Sequence, residues 1–166
     1  IHFRSGDAFS QNPHPGLGQP PLAFYHRVIE HENPSKVVLV FEDRRNPTID
    51  SVIDYLKTLK LPYSVQSGSF ADDLEVLLAA RSLVTANRTL TEALLMLSPY
   101  VERWASYSRD PQLFFRSRSV PTIIGVADSS GEYSSRVLTG NWKNTADQRA
   151  LMLSHPAEDL LLREIS

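Results

Sequence analysis

Residues 36–43, KVVLVFED, constrain the fold more than any other stretch of the chain. Side chains alternate between the two faces of a strand, so an unbroken apolar run buries both faces. A strand of that kind belongs in the middle of a parallel sheet covered by helices on either side. The flanking sequence agrees. Asn46 and Pro47 signal a helix start, as cap and first-turn proline. Ile49, Val52, Ile53, Leu56 and Leu59 then recur at helical spacing and make one apolar stripe. Residues 61–66 (LPYSVQ) suit a short strand, and Ser69 with Asp72 opens a further helix in which Leu74, Leu77 and Leu78 face inward. Residues 82–86 (SLVTA) read as another buried strand. Thr89 and Glu92 form a T-x-x-E capping box ahead of Leu90, Ala93, Leu94 and Leu97.

Beyond Pro99 the pattern loosens. Residues 120–128 (VPTIIGVAD) look like a core strand, and 145–165 look helical with a break near Pro156. Residues 10–21 (SQNPHPGLGQPP) are a turn-rich loop. The alternation of strands and helices predicts an α/β fold, a Rossmann-like, mostly parallel sheet with flanking helices.

The totals narrow the function classes. A chain of 166 residues is read as one domain with a sizeable core. The net charge is −2 and no basic stripe is visible, which argues against a nucleic-acid partner. The chain has no cysteine, which excludes disulfide staples and thiolate metal sites. The five histidines, His2, His14, His26, His31 and His155, show no metal-ligand spacing. No apolar run is long enough to span a bilayer. Because the sequence opens on a strand and not on Met, it is read as a piece of a longer protein, in whose missing part any membrane anchor would lie.

In open parallel sheets, ligands sit beyond the carboxyl ends of the strands. That rule selects Arg4 to Asp7, Glu42 and Asp43, Asn87 to Thr91, and Asp128. A strand-end arginine offers a phosphate a planar, permanently charged fork. Gly6 allows a tight turn, and Asp7 is placed to orient the arginine or hold the loop. The start of the helix after Asn87 presents amide groups to an anion, although Glu92 opposes one. Gly16-Leu17-Gly18 is not a dinucleotide fingerprint, since the third glycine is absent and Gln19-Pro20-Pro21 follows where a helix should begin. Asn87-Arg88-Thr89 matches a glycosylation sequon but sits at a strand–helix junction, a poor acceptor position.

The run His2-Phe3-Arg4-Ser5-Gly6-Asp7 resembles the H-x-R-R-x-D motif of the α1,2-, α1,6- and protein O-fucosyltransferase superfamily, and its Gly-Asp ending is similar to the α1,2 branch. Val40-Phe41-Glu42-Asp43 resembles that family's strand ending in Phe-Ser-Asp. Residues 73–91 resemble its later block, in which an aspartate begins a helix, a strand follows, and a small polar turn opens the next helix. Order and spacing agree as far as about Pro99.

The resemblance implies the donor-binding half of a GT-B-type glycosyltransferase. Residues 1–166 would form the nucleotide-sugar domain, without the N-terminal acceptor-side domain. The implied reaction moves fucose from GDP-fucose to a glycan or protein hydroxyl with inversion, with no metal or other cofactor, in the Golgi or ER lumen. Arg4 matches the arginine that holds the β-phosphate, and Arg4 and Asp7 are the implied catalytic pair. His2 matches a position near the nucleotide. Asp73 matches the acid that reads the guanine edge, with Asp72 its rival. Thr89 and Leu90 match the turn that touches the phosphates. Departures are equally specific. Ser5 replaces the second motif arginine, and Arg88 is expected to make up the lost charge. Asn12 stands where the α1,6 branch carries a glutamate, so Asp7, Glu42 and Asp43 are base candidates by position only, with an acid from the missing half an equal alternative. Another nucleotide-sugar donor, or a degenerate nucleotide- or glycan-binding module, are the alternative readings.

Overall fold

The computed structural model describes residues 1–86, 89–107, 122–138 and 140–165. The order of elements begins β1 (His2–Phe3), α1 (Leu22–Glu32), β2 (Val37–Phe41), α2 (Thr48–Thr58), β3 (Tyr63–Gln66) and α3 (Phe70–Leu78). It continues with β4 (Ser82–Ala86), α4 (Thr89–Leu97), β5 (Arg103–Tyr107), β6 (Thr122–Asp128), α5 (Ala146–Ser154) and β7 (Leu160–Ile165). The strands form one seven-stranded sheet in the order β3-β2-β1-β4-β5-β6-β7. The pairs from β3 through β6 are parallel, and β7 runs antiparallel to β6. This is the Rossmann-like α/β architecture that the apolar run of β2 predicts.

The two faces of β2 explain its composition. Val37, Leu39 and Phe41 join a core built with Phe24, Tyr25 and Val28 of α1, Ile49, Val52 and Leu56 of α2, and Met152 of α5. Val40 joins a second, smaller core on the opposite face, with Leu77 of α3, Leu94 of α4 and Trp104 of β5. Helices therefore cover both faces, and a polar residue on either side of β2 would be buried unpaired.

Local signals place the helices. Asn46 accepts from the backbone N–H of Thr48 through Oδ1 at 3.0 Å, so it caps α2 as its residue type predicts. Ser69 and Asp72 form a reciprocal capping box on α3. Thr89 is the first helical residue of α4, one place inside the capping position expected for it.

Two sequence expectations fail in the last third. Residues 103–107 form β5, which the sequence reading passes over, because Arg103 and Ser106 break its apolar pattern. The segment read as a helix up to 165 is helical only to Ser154; Leu160–Ile165 is the edge strand β7. The consecutive leucines Leu160, Leu161 and Leu162 fit either period. Antiparallel pairing with β6, from Asp128↔Leu160 to Ile123↔Ile165, decides in favour of the strand.

Candidate functional site

The chain runs outward from β1 to β3 on one side, then returns to place β4 on the other side of β1. Strand order reverses there, and the loops on either side of that point diverge and leave a crevice at the carboxyl edge. A cavity of about 560 Å³ opens at this edge, within the size range of small-molecule sites. Its polar side consists of His2, Arg4, Ser5, Asp7, Glu42 and Asp73. Its apolar side consists of Phe3, Phe70, Leu74, Leu77 and Leu90, with Gly68 at the turn between them.

Arg4 lies about one-third exposed at the end of β1, and Asp7 takes one side of its fork. Nε donates to Oδ1 at 3.1 Å, and Nη2 donates to Oδ1 at 2.9 Å and to Oδ2 at 2.8 Å. The pair fixes the guanidinium plane, and among the described residues Nη1 donates to no partner. Asp7 thus orients Arg4, one of the two roles its position allows. With both oxygens engaged on a guanidinium, Asp7 is a weak candidate for proton abstraction.

Ser5 is the surprise of the motif. It is 2% exposed, and its hydroxyl donates to Asp43 and accepts from the backbone N–H of Asn46 at 3.2 Å. Asn46 in turn donates from Nδ2 to the carbonyl of Arg4 at 2.9 Å. Asp43 also accepts from the backbone and side chain of Arg45 and, at 3.4 Å, from the backbone N–H of Gly6. Partial desolvation pushes the Asp43 carboxyl up, but hydrogen bonds from Arg45, Ser5 and Gly6 outweigh it and hold the group well below the usual carboxylate range. Ser5, Asp43 and Asn46 form a small hub that ties the β1 turn to the end of β2. Position 5 is tied into this hub at the edge of the cavity. Asp43 serves this hub and lies outside the cavity lining.

Glu42 remains as the carboxylate of the cavity that accepts no side-chain hydrogen bond among the described residues. It lies against Gly6, whose φ is +54°. A Cβ at Gly6 would stand 2.1 Å from Glu42 Oε2. The left-handed backbone calls for the glycine, while the tip of the flexible Glu42 side chain could give way to a Cβ.

His2 faces the cavity from β1. Burial pushes its imidazole down to about 4, the positive charges of the chain start and Arg4 add to that, and Asp73 opposes it. The ring is neutral at pH 7, so it offers one donor and one acceptor nitrogen to a ligand. Asp73, on α3, accepts through Oδ1 from Gln66 Nε2 and from the backbone N–H of Gly68, both at 3.1 Å. Asp72 spends its carboxylate on Ser69, with the hydroxyl at 2.7 Å, and does not line the cavity. Of the two rivals, Asp73 is the one at the site.

Leu90 lines the cavity, whereas Thr89 is exposed and does not. Asn87 and Arg88 lie outside the described residues, and with them the expected charge compensation. Thr91 is turned inward, its hydroxyl 3.0 Å from Thr85 Oγ1 and 3.0 Å from the carbonyl of Ala86. Asp128, at the end of β6, is bound to the turn that follows it, accepting from Ser130 and from the backbone N–H of Ser134. It stands away from the cavity. Gly18 packs closely on the backbone of Val137, since a Cβ there would stand 2.0 Å from that residue's carbonyl oxygen.

Sequence reasoning missed Phe70. It is the first residue of α3, 70% exposed, and on the cavity wall. The signal was present, since Phe70, Leu74 and Leu77 stand at i, i+4 and i+7, which extends the helix stripe one turn past the sheet edge. Among the described residues, no cluster of three or more histidine, aspartate or glutamate side chains has the arrangement of a metal site, and no helix is long and apolar enough to cross a membrane. Compared with known proteins, the chain matches no family model, no curated protein and no solved structure.

Proposed function

We propose that the cavity at the β1/β4 reversal is a nucleotide-sugar donor site, and that the chain is the donor-binding half of a fucosyltransferase-like glycosyltransferase using GDP-fucose. One observation carries the reading. His2, Arg4, Asp7, Asp73 and Leu90, drawn from two separated blocks of sequence by their likeness to fucosyltransferase motifs, line a single cavity. In this reading Arg4, held in plane by Asp7, takes the diphosphate with its remaining donors. A fixed guanidinium stabilises the charge that grows on a departing diphosphate more than it stabilises the ground state. Asp73 takes N–H donors of the base, and neutral His2 bonds the nucleotide without adding charge. The acceptor, a glycan or protein hydroxyl, would approach from a second domain, and the secretory-pathway lumen is the matching location.

One observation favours a second reading, a non-catalytic nucleotide-binding module. The charge of Arg4 is already countered by Asp7, and Ser5 gives no second cation. Calorimetric titration with GDP and UDP, each with and without Mg²⁺, tests the donor site that both readings share. GDP binding independent of metal is expected. A preference for UDP would overturn the donor, and no binding of either nucleotide would overturn the site. Fucose transfer by the chain joined to an acceptor-side domain separates enzyme from module.

A further inference from the structure

We infer that Phe70 is the platform on which the ligand's base stacks, an inference that rests on the nucleotide reading above. Phe70 is 70% exposed at the start of α3. Leu77, two turns on, belongs to the core beneath the sheet's α3 face, and the partly buried Leu74, one turn on, packs against it. The stripe thus climbs out of the core and ends on an aromatic ring at the cavity wall. Among the described residues that ring has no aromatic or cationic partner. A phenylalanine left uncovered beside a cavity offers a large flat surface to a ligand.

The surroundings select what kind of ligand covers it. Asp73, three residues on and so on the same side of the helix, also lines the cavity. Its Oδ1 is held by Gln66 and Gly68, while its Oδ2 accepts no hydrogen bond among the described residues. An acyl chain would cover the ring but desolvate Asp73 Oδ2 without giving it a donor. A flat heterocycle with N–H donors on its edge satisfies both, with its face on Phe70 and its edge on Asp73. Arg4 on the polar side, though paired with Asp7, keeps Nη1 for an anionic group. Ring, acid and guanidinium together describe a nucleobase carrying N–H donors, joined to a phosphate. Base stacking on aromatic side chains tolerates a change of ring but not its loss.

The test is calorimetry with GDP on the wild-type chain and on Phe70→Ala, Phe70→Leu and Phe70→Tyr. The exposure of Phe70 leaves the core intact in all three, which thermal unfolding checks. The expected result is a Kd about tenfold weaker for both Phe70→Ala and Phe70→Leu, and a near wild-type Kd for Phe70→Tyr. The leucine variant keeps the apolar bulk without the π face. GDP binding unchanged in Phe70→Ala, or fully kept by Phe70→Leu, would overturn the stacking role while leaving the nucleotide site standing. A wild-type chain that binds no GDP would overturn the nucleotide site itself, and the platform with it.

Discussion

Replacing Ser5 by alanine removes one oxygen and should cost far more than a surface change. The hydroxyl sits at 2% exposure between Asp43 and the backbone N–H of Asn46, and Asn46 is itself 1% exposed. Without it the Asn46 N–H is left buried and unpaired, a loss of about 1–3 kcal/mol. The bond to Asp43 adds roughly 1 kcal/mol, because Arg45 and Gly6 still hold that carboxylate. The total is about 2–4 kcal/mol, which for a chain of this size lowers Tm by roughly 6–12 °C. Guanidinium unfolding followed by circular dichroism should show a lower midpoint at an unchanged slope. Ser5→Arg, which restores the motif residue, should also destabilise, since it strips the Asn46 N–H of its acceptor and sets a long side chain at a 2% exposed position beside Asp43; a loss at least as large as that of Ser5→Ala is expected. Ser5→Ala within about 0.5 kcal/mol of wild type would refute the hub. So would a folded Ser5→Arg that binds GDP more tightly, because position 5 would then be a donor-site position after all.

Gly6→Ala forces a side chain into a left-handed backbone and against Glu42, and should cost about 1–2 kcal/mol; adding Glu42→Ala should recover only the part due to the clash, as a double-mutant cycle of denaturation midpoints would show. The His2 imidazole titrates near 4 in the folded chain and near 6.5 when unfolded, so its contribution is complete above 6.5 and is lost as pH falls from 6.5 towards 4. Tm measured across that window should therefore slope less in His2→Asn than in wild type, and equal slopes would count against a buried neutral histidine. At the opposite edge of the sheet, Glu32 receives Nε and Nη2 of Arg103 at 3.0 and 2.7 Å with its side chain only 9% exposed. Glu32→Gln should cost roughly 2 kcal/mol, between a surface pair and a fully buried one. Burial pushes the Glu32 carboxyl up, but the bonds from Arg103 and Ser82 prevail and hold it below its usual value. Its contribution is present above about pH 4.5 and lost as pH falls further, so the stability gap between Glu32→Gln and wild type should close on acidification.

The parts of the fold legible in the sequence are those specified by local chemistry. β2 is recognised because both its faces are apolar, and α3 because Ser69 and Asp72 cap each other. The carboxyl-edge rule needs only the strand ends, and it reaches Arg4, Asp7 and Glu42 without coordinates. What escaped depends on distant partners. Ser5 acquires its role from Asp43 and Asn46, 38 and 41 residues away along the chain. β5 carries Arg103, whose charge is met by Glu32 and Glu164, two residues far off in sequence. β7 is a strand because β6 offers it an edge, not because LLLREI resists a helix. Asp72 and Asp73 are alike as neighbours in sequence, and only the direction of the α3 start separates the capping acid from the cavity acid.

The most direct test of the central claim is a backbone amide NMR titration of the chain with GDP, read residue by residue. A donor site at the β1/β4 reversal predicts saturable shifts at Arg4, Gly6, Glu42, Gly68, Phe70 and Leu90, abolished by Arg4→Ala. Shifts confined to the opposite edge, around Glu32 and Arg103, or shifts at the cavity that survive Arg4→Ala undiminished, would contradict it.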